Sequence, residues 1–566
     1  MDINATIESL AGARPDRWVV DGAGVTRSES VIPALVDRRA YGESPATFRL
    51  LIVGDLSGAP QDVNVALQVL EHLIGRADDM AGRVAISALP CGNPDGLRLG
   101  VGPENGAGGF PATGYPPADG FFNDPRNPET RHLWRWITFL APDLVLQVRA
   151  SDSGAIWEAN AAGSRFAPGL NAKTLGQGGS LLAALGQGSA DAPGTVPGVR
   201  LTASPSDAAE ETDRLWKMVI GSSAVHSSAR VALEQRAGRS RLEVCHDLAS
   251  AHGRTLKPVR YTQGVAISGR LRMAMLEPET LNPPDDLVSL VEPFAADARL
   301  AVPDAGLTTG LGGLVWGDEL TAATGDPRYA ALTVKAADSY RSRGKGQAPE
   351  PTSPDFQVED MFFAGILLGR AFGITGKDDY IDIQTDFLIN TETQQADGLF
   401  WHSRAAPYYW GRGNGFAAMG LTEALTFLPD DHPDSGKIVS MISRQMNAVR
   451  DLQAPSGMFR QVIDSLGAYQ EFTCTCMIGY SIARGVRMGW LDRSLSEVAT
   501  RAWRGVSERI DDKGNVVDAC IGTGGQTSVR AYLDRPAASG FDDRSGSMAL
   551  WFGTEMERLS REGPKP

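Results

Sequence analysis

In the first third of the chain, apolar residues come in short unbroken runs separated by longer amphipathic stretches. FRLLIVGDL (48–56), RVAISALP (83–90) and LVLQVRA (144–150) read as buried strands. VNVALQVLEHLIGRA (63–77) and TRHLWRWITFLA (130–141) carry their apolar positions at helical spacing. Strands alternating with helices predict an α/β domain built on a mostly parallel sheet. The Gly/Pro-rich residues 99–125 predict a loop, and the Gly-, Ala-, Ser- and Pro-rich stretch 165–205 predicts the close of this domain.

From about residue 212 the period becomes helical and stays so. SSARVALEQRA and RLEVCHDLASAHG read as two capped helices. ATGDPRYAALTVKAADSY (323–340) and ITGKDDYIDIQTDFLIN (374–390) then align at a constant offset, Thr324 on Thr375, Gly325 on Gly376 and Tyr329 on Tyr380. Each copy joins an apolar helix to an amphipathic one through a TG-x-x-x-Y turn. IGYSIARGVRMGWLDRSLSEVATRAWRGV (478–506) reads as a diverged third copy. A recurring helical hairpin predicts a stacked array or a closed α/α toroid. The predicted organisation is an α/β domain over 1–205, a helical connector over 206–290 and an all-α domain over 291–566.

Composition and charge narrow the function. At 566 residues with 42% hydrophobic and 22% charged, the chain is long enough for several globular cores. A formal net charge of −14 excludes a basic nucleic-acid or anionic-membrane surface as the main partner. Neither a leader-like N-terminus nor an apolar run of roughly 18 residues is present, so a cytoplasmic protein is expected. Cys91, Cys245, Cys474, Cys476 and Cys520 are odd in number and fit free thiols rather than a disulfide framework.

The densest chemistry lies between 355 and 416. Asp355, Glu359 and Asp360 stand at the mouth of an apolar helix, where acidic residues serve routinely as caps. Asp360 sits where that helix turns apolar, and burial beside other carboxylates would raise its pKa toward that of a proton donor. DGLFWHSRAAPYYWGRGNGF gathers Trp401, His402, Tyr408, Tyr409, Trp410, Arg412 and Phe416, which reads as a loop forming either a sugar-binding wall or an aromatic anchor. Glu471 precedes another apolar helix and reads as a cap or a pocket residue. Tyr532 and Arg535 follow the Gly-rich turn at 522–525.

Residues of about 295–560 resemble glycoside hydrolase family 105, the unsaturated rhamnogalacturonyl hydrolases, and the related unsaturated glucuronyl hydrolases of family 88. VEDMFF (358–363), GLFWH (398–402), WGRGNGF (410–416), SGMFRQVID (456–464), YQEFTCT (469–475) and GTG (522–524) carry the resemblance. It implies an (α/α)6 barrel that hydrates the double bond of a terminal 4,5-unsaturated uronic acid, without metal or organic cofactor. Asp360 matches the family's acid/base aspartate, which protonates C4 and then helps water add at C5. Asp304 in VPDAGLTTGLGG is the match for a second aspartate. His402, Trp410 and Arg412 match substrate-pocket residues, and Phe416 and Glu471 join them as substrate-binding candidates. Phe416 departs from the family's usual Trp, and the 402–410 loop is short, which leaves the substrate open. The implied partner is a uronate-containing oligosaccharide.

The N-terminal half resembles a zinc carboxypeptidase in the order of LLIVGDLSGAPQDVNVALQVL, ALPCGNPDGLRLG, FFNDPRNPETRHLWRWI and PDLVLQVRAS. The zinc ligands are missing: Ser57 and Pro60 stand where a His-x-x-Glu pair is expected, and Arg149 where a later His is expected. No metal site follows. The domain reads as a non-catalytic relative that shapes access, binds carbohydrate or supports a homo-oligomer. Three other readings stay open: a glucuronidase using Asp360 and Glu471 as paired carboxylates on saturated substrates, a non-catalytic carbohydrate-binding protein, and an amidase in the first domain.

Overall fold

β-Branched and leucine-rich runs build the first unit. In a computed structural model of the chain, which describes residues 2–41, 48–76, 83–118, 122–166, 168–176, 178–221, 225–279, 284–301 and 308–565, Phe48–Gly54 (β3) is buried along its whole length. So is Val84–Leu89 (β4). A strand covered on both faces has no polar side to present, which is why these runs do not alternate. With Trp18–Val25 (β1), Val31–Asp37 (β2), Leu144–Ala150 (β5), Ile156–Ala159 (β6), Lys173–Thr174 (β7) and Gly198–Ala203 (β8), they form one sheet in the order β1-β2-β4-β3-β5-β8-β6-β7.

The four central strands β4, β3, β5 and β8 are mutually parallel, with Leu50 opposite both Ile86 and Leu144 and Val145 opposite Gly198. β2 joins β4 antiparallel at one side, and β6 joins β8 antiparallel at the other. Helices Pro60–Arg76 and Pro205–Gly221 pack on each other and shelter a core that includes Leu50, Ile52, Leu67, Leu146 and Trp216. The sheet therefore closes through β8, inside the stretch 165–205.

The chain divides into two compact units, one of residues 1–235, 465–469 and 533–536, the other of 236–464, 470–532 and 537–566. The expected connector is thus shared out: Pro205–Gly221 and Ser228–Ala237 lie largely in the first unit, whereas Arg241–Ala251 and Tyr261–Leu276 belong to the second.

The second unit is a closed helical ring. Tyr261–Leu276, a broken helical segment over 308–324, Val358–Thr375, Gly411–Phe427, Phe472–Arg487 and Asp543–Glu562 each touch the next, and the last touches the first. Outside them lie Arg241–Ala251, Pro327–Ala337, Asp379–Ile389, Ser435–Leu452 and Ser496–Ser507, each packed on an inner neighbour. The two TG turns have the same geometry: Gly325 and Gly376 end their helices at φ 77° and 68°, a left-handed cap that favours glycine. The third copy also forms, as Phe472–Arg487 followed by Ser496–Ser507.

The inner helices run the same way. Residues from their first turns meet, as Arg544 Nε and the Tyr261 hydroxyl do at 3.2 Å. Toward their other ends a buried cluster alternates charge. Glu423 accepts from Arg370 at 2.8 Å, from Arg484 at 2.6 Å and from the Tyr480 hydroxyl. Arg484 and Arg487 share Glu555, and Arg272 pairs with Glu319 at 2.8 Å. The arginines hold the Glu423 carboxyl down at about 2 against the upward push of burial. Among the described residues no helix is long and apolar enough to cross a membrane.

Candidate active site

The described candidates gather at the N-terminal ends of the inner helices, where backbone N–H groups lack intrahelical partners, and on the loop that leads into Gly411–Phe427. Asp360 lies in the first turn of Val358–Thr375 and is 4% exposed. Its Oδ2 accepts the Ser353 N–H at 2.8 Å, and its Oδ1 lies 2.9 Å from the Thr308 hydroxyl. Burial is the largest influence on this carboxyl and Glu359 adds to it, so the group is pushed up to about 7. The Ser353 and Thr308 hydrogen bonds and Arg343 oppose the rise without cancelling it. Asp304, the second expected aspartate, lies outside the described residues.

Beside Asp360 runs a hydrogen-bonded chain. His402 is fully buried, with Nε2 2.9 Å from Glu359 Oε1 and Nδ1 2.6 Å from the Tyr532 hydroxyl. The Tyr532 oxygen also accepts the Gln526 N–H at 3.1 Å. Asp355 holds the same loop from below, accepting the Ala405 N–H at 3.0 Å. The His402 ring lies 4.5 Å from that of Trp410, whose buried Nε1 has no hydrogen-bond partner among the described residues.

Arg412 stacks over Trp410 at 4.6 Å and donates to the carbonyls of Cys520 and, at 2.6 Å, Ile521. It fixes the start of the Gly-rich 522–525 turn. Glu471 is the N-cap of Phe472–Arg487 and accepts three backbone N–H groups, from Thr473 at 2.9 Å, Cys474 at 2.5 Å and Cys520 at 2.8 Å, with Arg412 4.0 Å away. A carboxylate so engaged is a clamp between two segments. Phe416 is 2% exposed within an aromatic cluster of Tyr261, Phe362, Phe363 and Trp410.

The expected loop reading of DGLFWHSRAAPYYWGRGNGF is corrected at its end. The loop ends at Trp410, and Gly411 opens the helix Gly411–Phe427. A Cβ at Gly411 would lie 2.1 Å from the Arg460 carbonyl oxygen, and one at Gly415 2.9 Å from Met477. The glycines are demanded by the close approach of the Phe459–Arg460 strand to Gly411 and of the helix carrying Met477 to Gly415, which outweighs their poor helix propensity. Thr308, Ser353 and Arg343 escaped the sequence reading, because isolated hydroxyls and surface-like arginines carry no periodic signal. Glu359 and Tyr532 were visible there but had no assigned partner.

At the expected zinc positions, the Ser57 hydroxyl donates to Asp62 at 2.6 Å and Arg149 pairs with Asp55 at 3.2 Å. Among the described residues, no group of three or more His, Cys, Asp or Glu side chains is placed to hold a metal ion.

The chain is similar to several known proteins. It is 21% identical over 234 residues to the unsaturated rhamnogalacturonyl hydrolase YesR of Bacillus subtilis (strain 168), covering 38% of this chain and 66% of that protein. It is 25% identical over 113 residues to an unsaturated 3S-rhamnoglycuronyl hydrolase of Alteromonas sp. (strain LOR), covering 19% and 27%. The chain thus spans two thirds or less of the length of these curated relatives. A crystal structure described as a possible member of the GH105 family from Klebsiella pneumoniae is 18% identical, with a TM-score of 0.49 over 58% of this chain and 94% of the other. Residues 403–560, which include Trp410, Arg412, Phe416, Glu471 and Tyr532 but not Asp360, Glu359 or His402, match the family model of Glycosyl Hydrolase Family 88.

Proposed function

We propose that the chain is a glycoside hydrolase that removes a terminal 4,5-unsaturated uronic acid from lyase-generated oligosaccharides by hydrating the double bond, with Asp360 as the proton donor. One observation carries the reading: Asp360 is a buried carboxyl held near neutral pKa, whereas Glu471, the other carboxylate of a paired mechanism, accepts three backbone N–H groups as a helix cap. Hydrolysis of a saturated glycoside calls on two working carboxylates. Hydration of a vinyl ether needs one group that gives a proton and takes one back.

Ser353 only donates, so Oδ2 of Asp360 stays an acceptor and the acidic proton resides on Oδ1. From there it passes to C4 of the sugar, leaving positive charge shared between C5 and the ring oxygen. The resulting carboxylate then takes a proton from water as the water adds at C5, and the hemiketal opens to release the neighbouring sugar. His402, Trp410 and Arg412 form the wall of the site, with Phe416 and Glu471 supporting it from behind. Asp304 is assigned as a second carboxylate on the sequence resemblance. The names of the similar proteins put rhamnose-containing and uronate oligosaccharides first among substrates.

The first unit is assigned as a carboxypeptidase-like domain without zinc chemistry. The order of its motifs along a sheet with four central parallel strands supports this. The Asp55–Arg149 and Ser57–Asp62 pairs, at the carboxyl ends of β3 and β5 where such sheets hold ligands, support the loss of the metal.

The test is a panel of lyase-generated oligosaccharides from pectin and other uronate polymers, followed by loss of the conjugated double bond's ultraviolet absorbance. Loss with wild type and none with Asp360→Asn is the expected result. Sugar release from saturated glucuronides with no loss of absorbance would overturn the reading.

A further inference from the structure

We propose that Gly22 and Arg27, on the β1–β2 hairpin, are positioning residues for this reaction: they fix the two chain segments that lead into Glu471 and away from Tyr532. The inference rests on the assignment of those two residues to the site.

The first unit includes two short segments from late in the chain, 465–469 and 533–536. Each is joined covalently to the site. Two residues beyond Tyr469 stands Glu471, which caps Phe472–Arg487 and accepts the Cys520 N–H at 2.8 Å. Directly before Leu533 stands Tyr532, whose hydroxyl lies 2.6 Å from His402 Nδ1. Consecutive Cα atoms keep a spacing of about 3.8 Å, so a shift of either segment passes to the site residue next to it.

One hairpin seats both segments. A Cβ at Gly22 of β1 would fall 2.0 Å from the Leu466 carbonyl oxygen, and one at Gly467 would fall 2.4 Å from the Gly24 carbonyl oxygen. Backbone rests on backbone there, at a separation that only glycine permits. The Tyr469 ring completes the seat, stacked on Phe122 at 4.5 Å and 9°. In the hairpin turn, Arg27 pairs with Asp534 at 2.8 Å. The turn is itself held: the Thr26 N–H donates to the Ser30 carbonyl at 2.9 Å, and the Ser28 and Ser30 hydroxyls bond to Asp95.

Stability alone does not account for these contacts. Arg27 and Asp534 are both partly exposed, and an ion pair in that setting adds little to folding. Gly22 and Gly467 have no side chain to bury and cost conformational entropy on folding. What the arrangement supplies is a fixed place for two loops, which are otherwise the loosest parts of a fold.

The experiment uses the full chain with Arg27→Asp, alone and together with Asp534→Arg, which reverses the pair. Amide hydrogen exchange at 470–475 and 526–532 is read without turnover, and kcat is read on an unsaturated disaccharide. In Arg27→Asp, exchange at 526–532 quickens and kcat falls about 10- to 100-fold, the effect of a misplaced catalytic constellation. The reversed pair restores both. Gly22→Ala is the second arm: exchange at 470–475 quickens and kcat falls. It decides alone if the Arg27 variants do not fold. Leu70→Ala, in the core of the same unit, lowers the urea midpoint and leaves kcat unchanged below it, which separates placement from stability. Wild-type exchange and kcat in Arg27→Asp and Gly22→Ala overturn the inference, and so does an equal loss of kcat in Leu70→Ala. Quickened exchange that the reversed pair cures, in a protein that hydrates no substrate, overturns the hydration reading instead and leaves the positioning standing.

Discussion

The Thr308 hydroxyl lies 2.9 Å from Oδ1 of Asp360, the one oxygen of that carboxyl not taken by the Ser353 N–H. A hydroxyl there can donate to the ionised acid and accept from the protonated one, so it follows the proton through the cycle. Thr308→Val removes a bond to the charged form, so the midpoint of Asp360 moves further up from about 7 and the alkaline limb of kcat/KM moves with it. Turnover at the optimum falls about 10- to 100-fold, the loss of one hydrogen bond to a charged group expressed as a barrier. Thr308→Ser restores both. Wild-type kinetics in the valine variant would remove Thr308 from the site.

Asp360 also links stability to pH. Its folded-state value of about 7 stands above the unfolded value near 3.8, so its contribution is fully present below the unfolded value and is lost as pH rises through the folded one. Asp360→Asn abolishes that dependence. At alkaline pH the variant unfolds at higher urea than wild type. The gain is roughly a few kcal/mol, at about 1.36 kcal/mol for each pH unit that separates the folded and unfolded values, and the gap closes toward acid pH. A gap of the same size at both ends would show that the carboxyl is not held up by its surroundings.

Glu471 separates the two carboxylate mechanisms. As a clamp that accepts the N–H groups of Thr473, Cys474 and Cys520, it supports the site without touching the reacting atoms. Glu471→Gln weakens those bonds and costs about 1–3 kcal/mol in chemical denaturation. Activity per folded molecule stays within about tenfold of wild type, one factor of ten being about 1.36 kcal/mol in the barrier. Loss as complete as in Asp360→Asn would make Glu471 a working partner and bring back the paired-carboxylate reading.

Glu423 holds Arg370 and Arg484 at 2.8 and 2.6 Å far from Asp360, toward the other ends of the inner helices. Glu423→Gln leaves two buried guanidinium groups short of an anion, and breaking one partner of such a cluster costs about 3–5 kcal/mol. The expected result is a lower urea midpoint with kcat/KM unchanged below it. A loss under about 1 kcal/mol would mean the cluster rearranges around the missing charge.

Much of the fold was legible locally. The buried strand at 48–54 and the helix at 60–76 follow from runs and periods within a few residues, and the TG turns at 324–325 and 375–376 announce their glycine caps. Asp360 stood out because an acid at the mouth of an apolar helix has no solvent to keep it ionised. GRGNGF (411–416) was misread as loop, since glycine weakens a helix in isolation and is required here only because Arg460 and Met477 press on Gly411 and Gly415. The connector at 206–290 was invisible as two halves, because an amphipathic helix does not say which apolar surface it will cover.

Residue order along the chain decided the elements, the acid at 360 and the glycines and aromatics that surround it. It could not decide partnership. Glu359 meets His402 across 43 residues and His402 meets Tyr532 across 130, and Cys520 reaches Glu471 across 49. Those contacts exist only because six helices close into a ring with their N-terminal ends together. Closure also supplies the burial that lifts Asp360 to neutral pKa, a property of the assembled barrel with no counterpart in the segment that carries the residue.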